Sequence, residues 1–101
     1  MREITSKQEA IDLILQQEIV AIFQGQSEWG PRALGNRSLL FDPRNKDGKD
    51  IVNKIKKREW YRPFAGSCLL EHANDWFEMG VIKESPYMTF SFNVKKDKKQ
   101  F

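Results

Sequence analysis

The chain alternates between short apolar runs and longer polar stretches, and the spacing of the apolar positions assigns most of its elements. Ala10, Ile11, Leu13, Ile14 and Leu15 share one broad face at helical spacing. Ser6, with Glu9 three residues later, supplies a capping box at the start of that helix. Ile19–Phe23 is too short for a second helix and rich in β-branched residues, so it predicts a strand buried on both faces. Ser38–Phe41 predicts another strand, stopped by Asp42-Pro43. Ile51, Val52 and Ile55 mark a helix that ends near Lys56. Extended to Arg58, it would aim that charge within about 20° of Ile51, into the apolar face. The chain after it is therefore expected to be extended, with Arg62 biased away from the helical region by Pro63.

Further along, a third strand is expected at Ser67–Leu70 and a helix at 71–78, with Ala73, Trp76 and Phe77 inward and Gly80 as its cap. Residues 87–94 alternate cleanly: Met88, Phe90, Phe92 and Val94 fall on one face and Tyr87, Thr89, Ser91 and Asn93 on the other. This is the pattern of a half-buried strand. Together these elements predict one domain over residues 1–101 of the α/β class: a twisted mixed sheet with helices packed on it, and a frayed tail at 95–101.

Composition narrows the function. No run approaches the length of a membrane span, and the opening residues lack an apolar secretion core, so the chain reads as cytoplasmic. Cys68, the single cysteine, cannot form an internal disulfide; beside Leu69 and Leu70 it reads as a buried, reduced thiol. His72, the single histidine, reads as structural, so neither a metal site nor a Ser/His/Asp arrangement is expected. The net charge of +3 hides an uneven distribution. Residues 31–62 hold ten basic groups against four acidic, whereas residues 1–30 hold two against five. A field of this kind attracts phosphate, on a nucleotide or on a nucleic acid.

Two segments stand out. Gly25–Ser38 follows a predicted strand, contains three glycines and a proline, and sets Arg32 and Arg37 among small or turn-forming residues. It reads either as a ligand loop or as a surface loop with two exposed arginines. Lys54–Phe64 interleaves Lys56, Arg58 and Arg62 with Ile55, Trp60, Tyr61 and Phe64. In an extended segment Lys56 and Arg58 share a side, and Arg62 can converge with them on phosphate oxygens. Trp60 and Tyr61 either plug the core, the favoured reading, or cover an adenine. The commonest phosphate-binding motifs, the P-loop and the Gly-x-Gly-x-x-Gly turn, are absent.

These segments carry a family resemblance. Glu28-Trp-Gly-Pro-Arg-Ala-Leu-Gly-Asn-Arg-Ser-Leu-Leu40, Asp42-Pro-Arg44, Asn53-Lys-Ile-Lys-x-Arg-Glu-x-x-Arg-Pro-Phe-Ala65 and Ser85-Pro-Tyr-Met88 all fit one pattern, from about Val20 to Met88. It resembles the C-terminal domain of the nodulation-type and antibiotic-tailoring O-carbamoyltransferases, itself similar to YrdC-type domains. The resemblance implies part of a YrdC-like fold in which ATP and carbamoyl phosphate react to give carbamoyl-adenylate, with a magnesium ion from solution and no metal site in the chain. It implies Arg32, Lys56 and Arg62 as the catalytic set holding phosphates and carbamoyl group, with Arg37, Ser38 and Arg58 as further binding candidates. It also implies a partner: an N-terminal transfer domain of the sugar-kinase/actin-like type, present in full-length relatives. The family domain continues beyond Ser-Pro-Tyr-Met, so an incomplete domain with an exposed edge is expected, prone to self-association. A basic nucleic-acid-binding module and an inert assembling fragment are the rival readings.

Overall fold

The computed structural model describes residues 3–98, which form two compact units that divide after Pro63. In the first unit, α1 (Lys7–Leu15) begins where the capping box places it: the Ser6 side chain accepts a hydrogen bond from the Glu9 N–H at 3.4 Å. The helix closes with Gln17 in the left-handed region, Gln17 N–H donating to Ile14 and Glu18 N–H to Leu13. This paired ending caps orphan carbonyls and turns the chain sharply.

β1 (Val20–Ala21) and β2 (Leu39–Leu40) pair antiparallel, Val20 opposite Leu40 and Ala21 opposite Leu39. The ladder continues past both strands in the same register, through Ile22 N–H to Ser38 O at 2.8 Å and Gln24 N–H to Asn36 O at 3.1 Å. The two predicted strands are therefore the arms of one hairpin, and residues 25–35 are its loop. The α/β class is observed; the sheet is narrower than expected, two antiparallel strands among the described residues. β1 is also not buried on both faces. Val20 is buried, but Ala21 and Phe23 are exposed, because no second layer lies over that side of a two-stranded ribbon.

α2 (Gly48–Lys56) ends at the residue expected from the misfit of Arg58 with its apolar face. Lys57 is left-handed at φ 53°, and Lys57 N–H and Arg58 N–H donate to the carbonyls of Lys54 and Asn53. Both helices thus end in the same motif with a long polar residue where glycine is commonest.

In the second unit a 3-10 turn (Leu70–His72) runs into α3 (Ala73–Trp76), and a second 3-10 turn spans Lys96–Lys98. Several expectations are corrected here. No strand forms at 67–70, and Cys68 is exposed rather than buried. The helix expected to reach residue 78 stops at Trp76, because Phe77 turns extended and pairs with Val94. Gly80 does have a positive φ, but inside the turn closed by Ile82 N–H to Met79 O. The alternating segment 87–94 contributes only Val94 to that bridge. Pro86 lacks an N–H, Met88 is left-handed, and among the described residues no partner strand lies alongside, so the pattern has no ladder to join. Of the tail expected to fray over 95–101, residues 96–98 form the 3-10 turn, and residues 99–101 lie outside the described residues.

Among the described residues the buried apolar ones are few: Val20 and Val52 in the first unit, Ala73 and Met79 in the second. Two polar side chains are buried as deeply, Asp42 at 3% and Asn53 at 2% exposure. Asp42 accepts from the Arg44 main chain at 2.9 Å, from its guanidinium at 2.5–3.1 Å, and from Gln17 Nε2 at 2.9 Å. One carboxylate thereby ties the end of α1 to the exit of β2. The Arg44 guanidinium first, then its main-chain N–H, holds the Asp42 carboxyl at about 2, below the ordinary 3.8.

Because the folded state releases this proton more readily than the unfolded chain, the tie is fully present above about pH 4 and is lost as pH falls toward about 2. Asp42→Asn should lower the thermal midpoint at neutral pH and flatten its decline between those two values. Circular dichroism melts across that range check both effects.

Candidate functional site

The loop between the hairpin arms is tied at two levels. Lower down, Arg37 reaches back across its neck: its guanidinium donates to the carbonyls of Gln24, Gly25 and Asn36, and it lies 3.9 Å from the centre of the Phe23 ring. Higher up, the Glu28 carboxylate accepts from Leu34 N–H at 2.7 Å and Asn36 N–H at 2.8 Å. These two N–H donors, and then the Arg37 charge, hold the Glu28 carboxyl below the usual glutamate range. Ser38 Oγ accepts from Gly35 N–H at 3.0 Å. Gly30 and Gly35 adopt φ of 111° and 114°, a conformation strained for any residue with a Cβ. Arg32 and Trp29 project from the tip; Trp29 is 96% exposed, and Arg32 has no hydrogen-bonding or ionic partner among the described residues.

The second basic segment is shaped by Asn53. Its amide nitrogen donates to the carbonyls of Trp60 (3.4 Å) and Arg62 (3.0 Å), and its oxygen accepts from Arg58 Nε. Arg58 also donates to Pro63 O. The expectation of an extended segment is corrected: Arg62 N–H donates to Glu59 O, closing a turn over Glu59–Arg62. Lys56 and Arg58 therefore do not share a strand face; Lys56 ends α2 and Arg58 follows its left-handed cap. Trp60 and Tyr61 are not core. Trp60 is 76% exposed, packed edge-on against Tyr61, with Lys49 Nζ 5.9 Å from its ring centre, because the turn points both rings outward. Arg62 Nε pairs with Glu59 at 2.8 Å, both side chains about half exposed. Glu59 is held below its usual range by its own main-chain N–H and then by Arg62, whose own pKa is raised in return.

Of the six residues singled out from sequence, three are engaged in holding the fold: Arg37 on carbonyls, Ser38 on Gly35, and Arg58 on Asn53. Arg32 and Lys56 are exposed, and Arg62 is held by one exposed ion pair. Sequence reasoning missed Glu28, Asp42 and Asn53 as ties. The only signal for them was their place in the motifs, which does not distinguish a ligand from a brace.

In the second unit, His72 Nδ1 lies 3.0 Å from Asp75 Oδ2, which lowers the Asp75 pKa. Those two residues, with Trp76, Lys95, Asp97 and Lys98, line an open depression of about 500 Å³. Its two lysines and two aspartates favour no one sign of ligand. Among the described residues no three His, Cys, Asp or Glu side chains gather as a metal site, and no helix is long and apolar enough to cross a membrane.

Asn53→Ala should strand two main-chain carbonyls and release Arg58, at a cost of about 1–3 kcal/mol. Urea unfolding followed by circular dichroism measures it; an unchanged midpoint would mean the turn holds itself.

Comparison with known proteins places the chain in a family. The family described as carbamoyltransferase C-terminus matches residues 11–101. Nodulation protein NolNO of Sinorhizobium fredii is 49% identical over 92 residues, 89% of this chain and 14% of that protein. Nodulation protein NolO of Bradyrhizobium diazoefficiens is 46% identical over 91 residues, 88% of this chain and 17% of that protein. A 3'-hydroxymethylcephem-O-carbamoyltransferase of Amycolatopsis lactamdurans is 44% identical over 78 residues, 77% of this chain and 15% of that protein. The chain thus spans about one-seventh of the length of these relatives. With the match covering both the hairpin loop and the basic turn, the chain belongs to the carbamoyltransferase C-terminal family.

Proposed function

We propose that this chain serves as the activating part of an O-carbamoyltransferase, binding ATP and carbamoyl phosphate to form carbamoyl-adenylate for a hydroxyl acceptor. The observation that carries the reading is the family match over residues 11–101, an interval that contains Arg32, Lys56 and Arg62. Carbamoyl phosphate and water give carbamate and inorganic phosphate. A carbamate oxygen then attacks the α-phosphorus of ATP, the bond to the β-phosphate bridge breaks, and pyrophosphate leaves. Charge grows on phosphate oxygens throughout, so converging Arg and Lys side chains stabilise it without covalent participation.

Arg32, Lys56 and Arg62 suit that role because their charges are not built into the fold. The Arg62–Glu59 pair is exposed, and such pairs contribute little, so exchanging the carboxylate for a phosphate is inexpensive. Magnesium enters as ATP's own counterion, part of the substrate. Transfer to the acceptor falls to a sugar-kinase/actin-like domain, as a partner or as another part of a longer protein. The free edges of the two-stranded ribbon favour pairing with that partner or with a second copy.

Arg62→Ala should weaken ATP binding by roughly 30-fold, on the scale of a charge-assisted fork, and a lysine should restore charge but not the fork. The control is Lys57→Asn. It removes a neighbouring charge while keeping a residue that tolerates the left-handed region, and should change affinity only a few-fold. Calorimetric titration of ATP into the full chain measures both. Equal losses, with steep salt dependence and no nucleotide preference, would favour the nucleic-acid reading.

A further inference from the structure

Eleven residues separate the hydrogen-bonded arms of the hairpin at Gln24 and Asn36, and a polar loop of that length samples many shapes unless it is tied. Here the ties come from side chains. The Glu28 carboxylate on Leu34 N–H shortens the free tip to Trp29-Gly30-Pro31-Arg32-Ala33, in which Pro31 sets its own φ. Arg37 spends its guanidinium on three carbonyls and the Phe23 face, so turning it toward a ligand would strand the neck of the loop. Arg32, inside the tip, is the exposed cation.

We propose that Glu28 and Arg37 are positioning residues: their hydrogen bonds to the loop main chain hold the tip 29–33 in the shape that presents Arg32 to an anionic ligand, and neither touches that ligand. The proposal rests on the ATP and carbamoyl phosphate reading for the identity of the anion; the lock itself is independent of it. A pre-shaped tip binds more tightly because the ordering entropy is already spent on folding. A lock and a ligand-binding group behave differently when combined with loss of Arg32. If Arg37 acts through Arg32, removing both costs no more than removing Arg32 alone; if it binds phosphate itself, the losses multiply.

The test has two arms on the full chain. The first uses no ligand: in 1H–15N spectra the Leu34 and Asn36 amides should lie downfield and move together on acidification. Their shared midpoint should fall below the usual glutamate range, since Glu28 holds them only while ionised. Glu28→Gln should abolish that titration, and Arg32→Ala should leave it intact. The second arm titrates ATP by calorimetry. Arg37→Ala and Arg32→Ala should each weaken binding roughly 10-fold, the double variant no more than about twofold beyond Arg32→Ala, and Arg37→Lys should rescue in part.

Multiplying losses would make Arg37 a direct ligand, and tighter binding in Glu28→Gln would make the carboxylate a competitor of the anion; either overturns the proposal. ATP binding without the shared titration overturns the lock and leaves the ATP reading standing. The shared titration in a chain that does not bind ATP supports the lock and overturns the ATP reading.

Discussion

The buried carboxylate of Asp42 is the interaction on which the first unit depends. With Val20 and Val52 as its buried apolar residues among those described, that unit gains little from hydrophobic burial. A buried carboxylate without partners would unfold it; with a guanidinium, a main-chain N–H and the Gln17 amide, it becomes a fixed point instead. Gln17 can reach it only because the left-handed ending of α1 reverses the chain there. A helix cap, a strand exit and a turn are thus joined through two oxygens.

Asn53 does the same for the basic turn. Its place in the last turn of α2 lets its side chain serve carbonyls seven and nine residues ahead while its own carbonyl accepts the Arg58 N–H. The consequence is a division of labour among the cations. Arg37, Arg44 and Arg58 satisfy acceptors within the protein, whereas Arg32 and Lys56 remain exposed and Arg62 is held by one exposed carboxylate. A high density of positive charge is therefore not the same as a binding surface, since three of the five guanidinium groups in residues 31–62 act as braces.

The second unit shows the opposite case, an apolar pattern without a partner. Phe90 and Met88 stand exposed although they alternate with polar residues as a strand should. Alternation describes a strand that has a neighbour, and among the described residues the Phe77–Val94 bridge and its two flanking hydrogen bonds are the extent of the pairing.

What the sequence determined by itself was local. The capping box placed the start of α1, the misfit of Arg58 with an apolar face placed the end of α2, and the motifs from Glu28 to Met88 identified the family. Each depends on residues close in the chain or on a pattern read directly. Tertiary structure decided the rest. That Ile19–Phe23 and Ser38–Phe41 are arms of one hairpin depends on pairing across fourteen intervening residues, which no periodicity encodes. Whether Arg37 holds a ligand or a carbonyl, and whether Trp60 is core or surface, depends on which main-chain groups come within 3 Å or so of its side chain, or on what covers its ring. Residue type sets what a side chain can bond to, but only the folded backbone sets which partners arrive.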